Sequence, residues 1–202
     1  MRTIGVDIGS RSVKVVELES SFGGRLEVRD HQMAELNPGD DPYLLAARLI
    51  DNRPKKADRI SVLLRANRST FRNFLLPTRE KKALQSAIVF ELEDELPFPL
   101  EDAVYDSVTS PSYTGPGSQV PVIAAPSKHL AELLSKWSEA GIEPDAVIPE
   151  GWANRALLNQ ALGPASLKGS PTNPSTTSAA ANFDQNPILL LNLGHERTLL
   201  YV

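Results

Sequence analysis

Cysteine is absent from the sequence, which excludes disulfides, thiolate nucleophiles and cysteine metal sites and fits a reducing compartment. Histidine is scarce. His31, His129 and His195 stand far apart with no ligand spacing, so no metal centre built on them is expected. No apolar run approaches the length of roughly 20 residues that a bilayer-spanning helix needs. The N-terminus has one arginine and an alternating pattern, not a charged region followed by an apolar run, so it does not read as a signal peptide. An excess of positive charge is missing too. Lys and Arg number 21 against 25 Asp and Glu, a net charge of −4, and bulk electrostatics give no reason to expect nucleic acid or an anionic membrane surface as a partner. These absences leave a soluble, cytoplasmic polypeptide as the expectation. Its 202 residues suffice for one domain, or two small ones, with a real core.

The most informative stretch is the first. Ile4, Val6 and Ile8 alternate with Gly5 and Asp7, and Val13, Val15, Val16 and Leu18 resume the apolar pattern after Gly9-Ser10-Arg11-Ser12. This reads as two strands joined by a tight polar turn. Gly9 is read as a residue allowing a backbone conformation that side chains forbid. Successive N–H groups in such a turn can form an anion-binding nest, with Ser10, Ser12 and Lys14 adding donors and charge. Asp7, ending the first strand, is placed to hold a magnesium ion through water beside phosphate oxygens. The competing reading is an ordinary hairpin with a Gly-Ser turn.

Leu26, Val28 and Met33 continue as a third strand after the turn at 19–24, making a meander. Asp41 is a candidate N-cap, with Pro42 at the first helical position of a helix that stops near Pro54. Residues 60–64 and 70–76 read as strands around a polar break. Thr78 is expected to cap a long helix from Arg79 to about Leu96. On it Leu84, Ile88, Leu92 and Leu96 form an apolar stripe, with Ala87 and Phe90 beside it. The last turns of that helix carry Glu91, Glu93, Asp94 and Glu95, which oppose the macrodipole. They read as a solvated acidic face or as a surface reserved for a basic partner. Strands follow at 104–108 and 120–125, around a Pro-, Gly- and Ser-rich hairpin loop at 110–118. Ser127 is read as the cap of a helix carrying Leu130, Leu133, Leu134 and Trp137 and ended by Gly141. A strand over 142–148, Glu150, and a helix over 152–162 complete the pattern.

Residues 164–186 change character and read as a flexible linker. Residues 187–202 then repeat the opening grammar, with Asn192-Leu193-Gly194 mirroring Asp7-Ile8-Gly9 and Thr198 opening the next strand.

Two phosphate-type hairpins resemble the layout of the actin, Hsp70 and sugar-kinase superfamily. The middle of the chain is more specific. Phe74-Leu75-Leu76-Pro77, the run from Ala87 to Asp102 with its Phe-Glu-x-Glu helix and Pro97-Phe98 turn, the Ala-Ala strand end, Ala-Gly-Ile-Glu-Pro and Glu150 opening a helix together resemble the PilM family. The closely related GspL cytoplasmic domains fit these residues equally.

The resemblance implies an α/β fold: an actin-like (ribonuclease H-like) first lobe with an inserted FtsA-type 1C subdomain of β-α-β-β-α order, truncated at the start of the second lobe. Residues 1–67 and 144–163 would form subdomain 1A, residues 68–143 subdomain 1C, and 187–202 the first hairpin of the second lobe, 2A. Asp7, Gly9, Ser10, Ser12 and Lys14 fall on the first phosphate loop, and Asn192, Gly194 and Thr198 on the second. Glu150 falls where the superfamily often keeps a residue orienting water or magnesium. Asn192 stands where aspartate is usual, a change that weakens magnesium coordination.

The implied role is a cytoplasmic scaffold at the inner face of the inner membrane, in a type IV pilus or type II secretion platform. Its expected partners are a bitopic membrane protein of PilN or GspM type, whose short cytoplasmic peptide docks, and an assembly ATPase. Phe90, Glu91, Asp94, Glu95, Pro97 and Phe98 are the expected partner-binding residues. ATP and magnesium are expected only of a full-length protein, with weak or no ATPase activity. The alternatives are a sugar- or acetate-kinase-type phosphotransferase, an FtsA-like polymer-forming protein, and a plain α/β interaction module.

Overall fold

A computed structural model describes residues 1–21, 26–51, 59–109, 115–161, 190–193, 196 and 198–201. The contacts group the chain into two compact units, Met1–Leu63 with Asp145–Val202, and Leu64–Pro144.

The first unit is built on a five-stranded sheet of order β3-β2-β1-β4-β8. β1 (Arg2–Ile8), β2 (Ser12–Ser20) and β3 (Leu26–Glu35) form an antiparallel meander, and β4 (Arg59–Leu64) runs parallel to β1. Alternation decides the faces. Ile4, Val6, Val13, Val15 and Val62 are buried on one face. Val16 and Leu18 point to the other face and are only half-buried. α1 (Pro42–Asp51) contacts β1 and β2 and buries Ala46 and Ala47, small residues that let the helix approach closely. Its start is as the sequence indicates: Asp41 Oδ1 accepts from the Tyr43 and Leu44 N–H groups at 2.8 and 3.1 Å. Leu26, Val28 and Met33 lie in β3 but stay exposed. The register slips between Glu17 and Leu18, so Arg29 is the unpaired residue of a bulge. β8 (Ala146–Pro149) leads directly into α4 (Glu150–Ala161), which therefore starts two residues before Trp152. β9 (Leu190–Leu193) and β10 (Thr198–Tyr201) form a separate antiparallel pair.

The second unit has the order β5 (Thr70–Leu76), α2 (Lys81–Glu95), β6 (Ala103–Ser107), β7 (Ser118–Pro126), α3 (Ser127–Glu139), with the sheet arranged β5-β7-β6 and all pairs antiparallel. The stripe on α2 is core: Leu84, Ile88 and Leu92 are buried against Leu76, Val120 and Val122, with Phe74, Ala87, Leu96 and Leu100 packed around them. Burying each large aliphatic side chain contributes about 1.5–3 kcal/mol. Central β7 is buried on both faces, since Pro121, Ile123 and Ala125 are covered as well.

Three local expectations are corrected here. Thr78 does not cap α2. Its hydroxyl accepts from Glu80 N–H at 3.2 Å, and the helix starts at Lys81 because Arg79 is drawn off to the Gly117 and Gly115 carbonyls at 2.9 and 2.8 Å. Phe90 does not flank the stripe. Two positions past Ile88 means a turn of about 200° round the helix, and its side chain is 68% exposed. Ser127 is the first helical residue of α3 rather than its cap. At the far end, Gly141 adopts φ +79° and donates to Ser138 O, while Ile142 N–H bonds Trp137 O. That is a full Schellman ending, which keeps 141–142 out of the following strand and shortens it to Ala146–Pro149.

The parts of the sequence reading that fall on residues 22–25, 110–114, 162–189, 194, 195, 197 and the stop near Pro54 lie outside the described residues. They include the whole 164–186 linker and the Gly194 position.

Candidate functional site

The first candidate site is the β1–β2 turn. Antiparallel register sets Ile8 opposite Val13 and Asp7 opposite Lys14, which leaves Gly9 to Ser12 to reverse the chain. Gly9 N–H donates to Ser12 O at 2.9 Å, closing the turn. Two details of the turn differ from the reading of the sequence. Gly9 is not in the left-handed region. Glycine is favoured because a Cβ there would stand 3.1 Å from Ser12 O. Its N–H is also spent inside the turn, so the amides left to face an anion are those further round it. Arg11 O accepts from Leu36 N–H at 2.8 Å and ties the turn to the end of β3.

Five of the predicted residues are therefore gathered in one small volume. Lys14 Nζ lies 3.6 Å from Asp7 Oδ2, both half exposed. Ser10 and Ser12, in and at the end of the turn, are half-buried. One carboxylate and two hydroxyls cannot make a metal cage. Asp7 would be the residue to hold a magnesium ion, through water, were one bound there with phosphate. Among the described residues no group of three or more His, Asp or Glu could hold a metal ion.

Glu150 joins this edge through the sheet order. Asp145, just before β8, accepts from Ile60 N–H through Oδ2 at 2.7 Å and donates its own N–H to Ile60 O at 2.8 Å. β8 thus starts where β4 starts, and β4 is parallel to β1. The C-terminal ends of β1 and β8 share one edge of the sheet, two strands apart, roughly 10 Å at the usual interstrand spacing. Asp7 and Glu150 both stand on that edge, where open α/β sheets place their ligands. Asn192 is exposed on β9 opposite Leu199, and Thr198 pairs with Leu193. Gly194 lies outside the described residues.

An unpredicted feature supports the hairpin from below. Arg2 Nε donates to Glu17 Oε1 at 2.8 Å, and its Nη2 contacts the same oxygen. The Glu17 side chain is 5% exposed and that of Arg2 18%. The signal was parity. Glu17 follows Val13 and Val15 on the buried face, and a carboxylate there requires a partner.

The second candidate surface is the C-terminal half of α2. Glu91, Asp94 and Pro97 are exposed, Phe90 stands on the crown of the helix, and Phe98 is half-buried. Glu95 is committed: Arg72 donates to its carboxylate and its carbonyl, each at 2.9 Å.

Comparison with known proteins bears on both. A chain of the PilM–PilN type IV pilus biogenesis complex superposes with a TM-score of 0.63 at 23% identity, over 79% of this chain and 51% of that one. The cytoplasmic domain of EpsL, an inner-membrane component of the type II secretion system of Vibrio cholerae, gives 0.53 at 17% identity, over 76% and 59%. The chain has the actin-like fold of these proteins. It spans between half and three-fifths of their lengths. No protein-family model and no curated protein sequence matches it. The actin-like fold accounts for the meander followed by a parallel β4, and the 64–144 unit has the β-α-β-β-α order expected of the inserted subdomain. Among the described residues no helix is long and apolar enough to cross a membrane.

Proposed function

We propose that this chain is the first lobe of an actin-like scaffold in the inner-membrane assembly platform of a type IV pilus or type II secretion machine. The observation that carries the reading is the likeness to the PilM–PilN complex over 79% of the chain. On this reading the unit containing the β1–β2 turn is subdomain 1A, the 64–144 unit is subdomain 1C, and β9–β10 opens subdomain 2A. The chain works on the cytoplasmic face of the inner membrane by docking a short cytoplasmic peptide of a bitopic partner and recruiting an assembly ATPase.

The exposed acids Glu91 and Asp94, with Phe90 and Pro97, form the partner surface for a basic or amide-rich segment. Glu95 serves the helix instead, through Arg72. The test is titration of the chain with the cytoplasmic peptide of the cognate bitopic protein. Reversing Glu91 and Asp94 to lysine is expected to weaken docking. Unchanged affinity would reject this surface, and absence of any binding would reject the role.

Nucleotide belongs to the protein with a complete second lobe. There Asp7, Gly9, Ser10, Ser12, Lys14 and Glu150 supply one wall, and Asn192, Gly194 and Thr198 begin the other. Residues 1–202 alone are expected to bind ATP weakly or not at all. Calorimetry showing micromolar affinity would refute that.

A further inference from the structure

The β5-β7-β6 sheet is covered unevenly. Every sheet side chain in the α2 core comes from β5 or β7, namely Phe74, Leu76, Val120 and Val122. β6 supplies none, and its Tyr105, which shares the α2 face through its pairing with Ala124, remains 39% exposed. Between α2 and β6 runs a groove made of two adjoining cavities of about 590 and 450 Å³, which share Gln85, Ile88, Asp106 and Ser107. Its floor is apolar, from Leu84, Ile88 and Val120, and one end carries Arg79 and Lys81.

β6 is also the end strand of the sheet. Val108 N–H donates to Pro121 O, and antiparallel pairing alternates, so residues 104, 106 and 108 bond towards β7 while 105 and 107 face outwards. Ala103 N–H is taken by Leu100 O, and Ser107 N–H by Asp106 Oδ1 at 2.8 Å. Among the described residues this leaves the Tyr105 N–H and C=O and the Ser107 C=O open along the groove.

We infer that the β6–α2 groove is a strand-addition site that takes an extended peptide from a partner protein, with alternate aliphatic residues over Leu84 and Ile88 and acidic residues at the Arg79–Lys81 end. Main-chain bonds to Tyr105 and Ser107 supply affinity and the helix-side pocket reads alternate side chains. The preference for an acidic end rests on Lys81, which has no ion-pair partner among the described residues at the start of α2; the N-cap Glu80 beside it and the carbonyl contacts of Arg79 make that preference modest. Asp106 lines the groove through its backbone, since its register partner Ile123 puts its side chain on the other face of the sheet. The site is separate from the acidic crown of α2 and selects the opposite charge, so failure of one leaves the other standing.

The test uses the ¹⁵N-labelled chain and two capped heptapeptides of alternating valine and threonine, with two glutamates at one end or the other. Amide shifts are expected on Tyr105, Ser107, Gln85 and Val89, at a dissociation constant of about 1 mM or tighter. Lys81→Glu, or lysines in place of the peptide glutamates, should weaken binding about fivefold. Tyr105→Pro removes an outward N–H that the fold does not use and should abolish binding, while Tyr105→Ala keeps that N–H and most of the affinity. Shifts centred on β3 or β5, or none at millimolar peptide, would overturn the proposal. So would shifts at Lys81 and Leu84 produced by inorganic phosphate and by neither peptide, which would make the groove an anion pocket.

Discussion

Leu92 is the most deeply buried residue of α2, at 1% exposure, and it lies directly beneath the turn that presents Phe90, Glu91 and Asp94. Leu92→Ala therefore tests the core without touching the partner surface. The substitution removes three carbons, about 2.4 kcal/mol at 0.8 per group. The cavity left behind raises the cost to about 3–4 kcal/mol, because β5 and β7 can relax only partly around it. The chain has two tryptophans, buried Trp137 in the 64–144 unit and Trp152 in the other. A Trp152→Phe background thus makes fluorescence report on the unit that carries α2. With a urea slope of about 1–1.5 kcal/mol per molar, the midpoint should fall by about 2–4 M. Ile88→Val, expected to cost about 1 kcal/mol, keeps the measurement on scale if the larger change unfolds the unit. A Leu92→Ala midpoint within about 0.3 M of the parent would refute the packing of α2 on β5 and β7, and with it the placement of every residue on the helix.

Three further substitutions address other joints. Gly117→Ala is expected to disrupt the β5–β7 end severely, since φ is +82° and the new Cβ would clash with Leu76 O; loss of the native melting transition is the readout. Asp41→Ala should cost about 1 kcal/mol by chemical denaturation through loss of the α1 cap, and Asp41→Asn should restore most of it. Arg2→Ala should destabilise the first unit by about 3 kcal/mol because Glu17 stays on the buried face, whereas replacing both by Met should cost far less; equal losses would mean the ion pair has no special weight.

How much could be read beforehand follows the range of the forces involved. Asp41-Pro42 and Gly141 were legible because caps and Schellman endings are written in consecutive residues. The α2 stripe was legible because spacing four sets a face. Thr78 misled because the start of α2 is decided by Arg79 reaching carbonyls 36 and 38 positions away. Phe90 misled because proximity in sequence is not proximity round a helix. At the candidate site the turn residues were visible as turn chemistry. What gave Glu150 its place on their edge was the Ile60–Asp145 pairing across 85 residues, which no local pattern announces.

The turn itself carries a built-in opposition. Lys14 and Asp7 are each other's counter-ion at 3.6 Å, and with both half exposed the pair contributes about 1 kcal/mol or less. A phosphate arriving at the turn draws on Lys14, and a hydrated magnesium draws on Asp7. Bound singly, either leaves the other side chain uncompensated. On the proposed nucleotide role, magnesium with phosphate would call on both Asp7 and Lys14, the two residues whose register the hairpin fixes. Asn192 on the second hairpin adds no compensating charge, so whatever magnesium dependence the complete protein shows should be carried by Asp7 and should be lost in Asp7→Asn while the fold is retained.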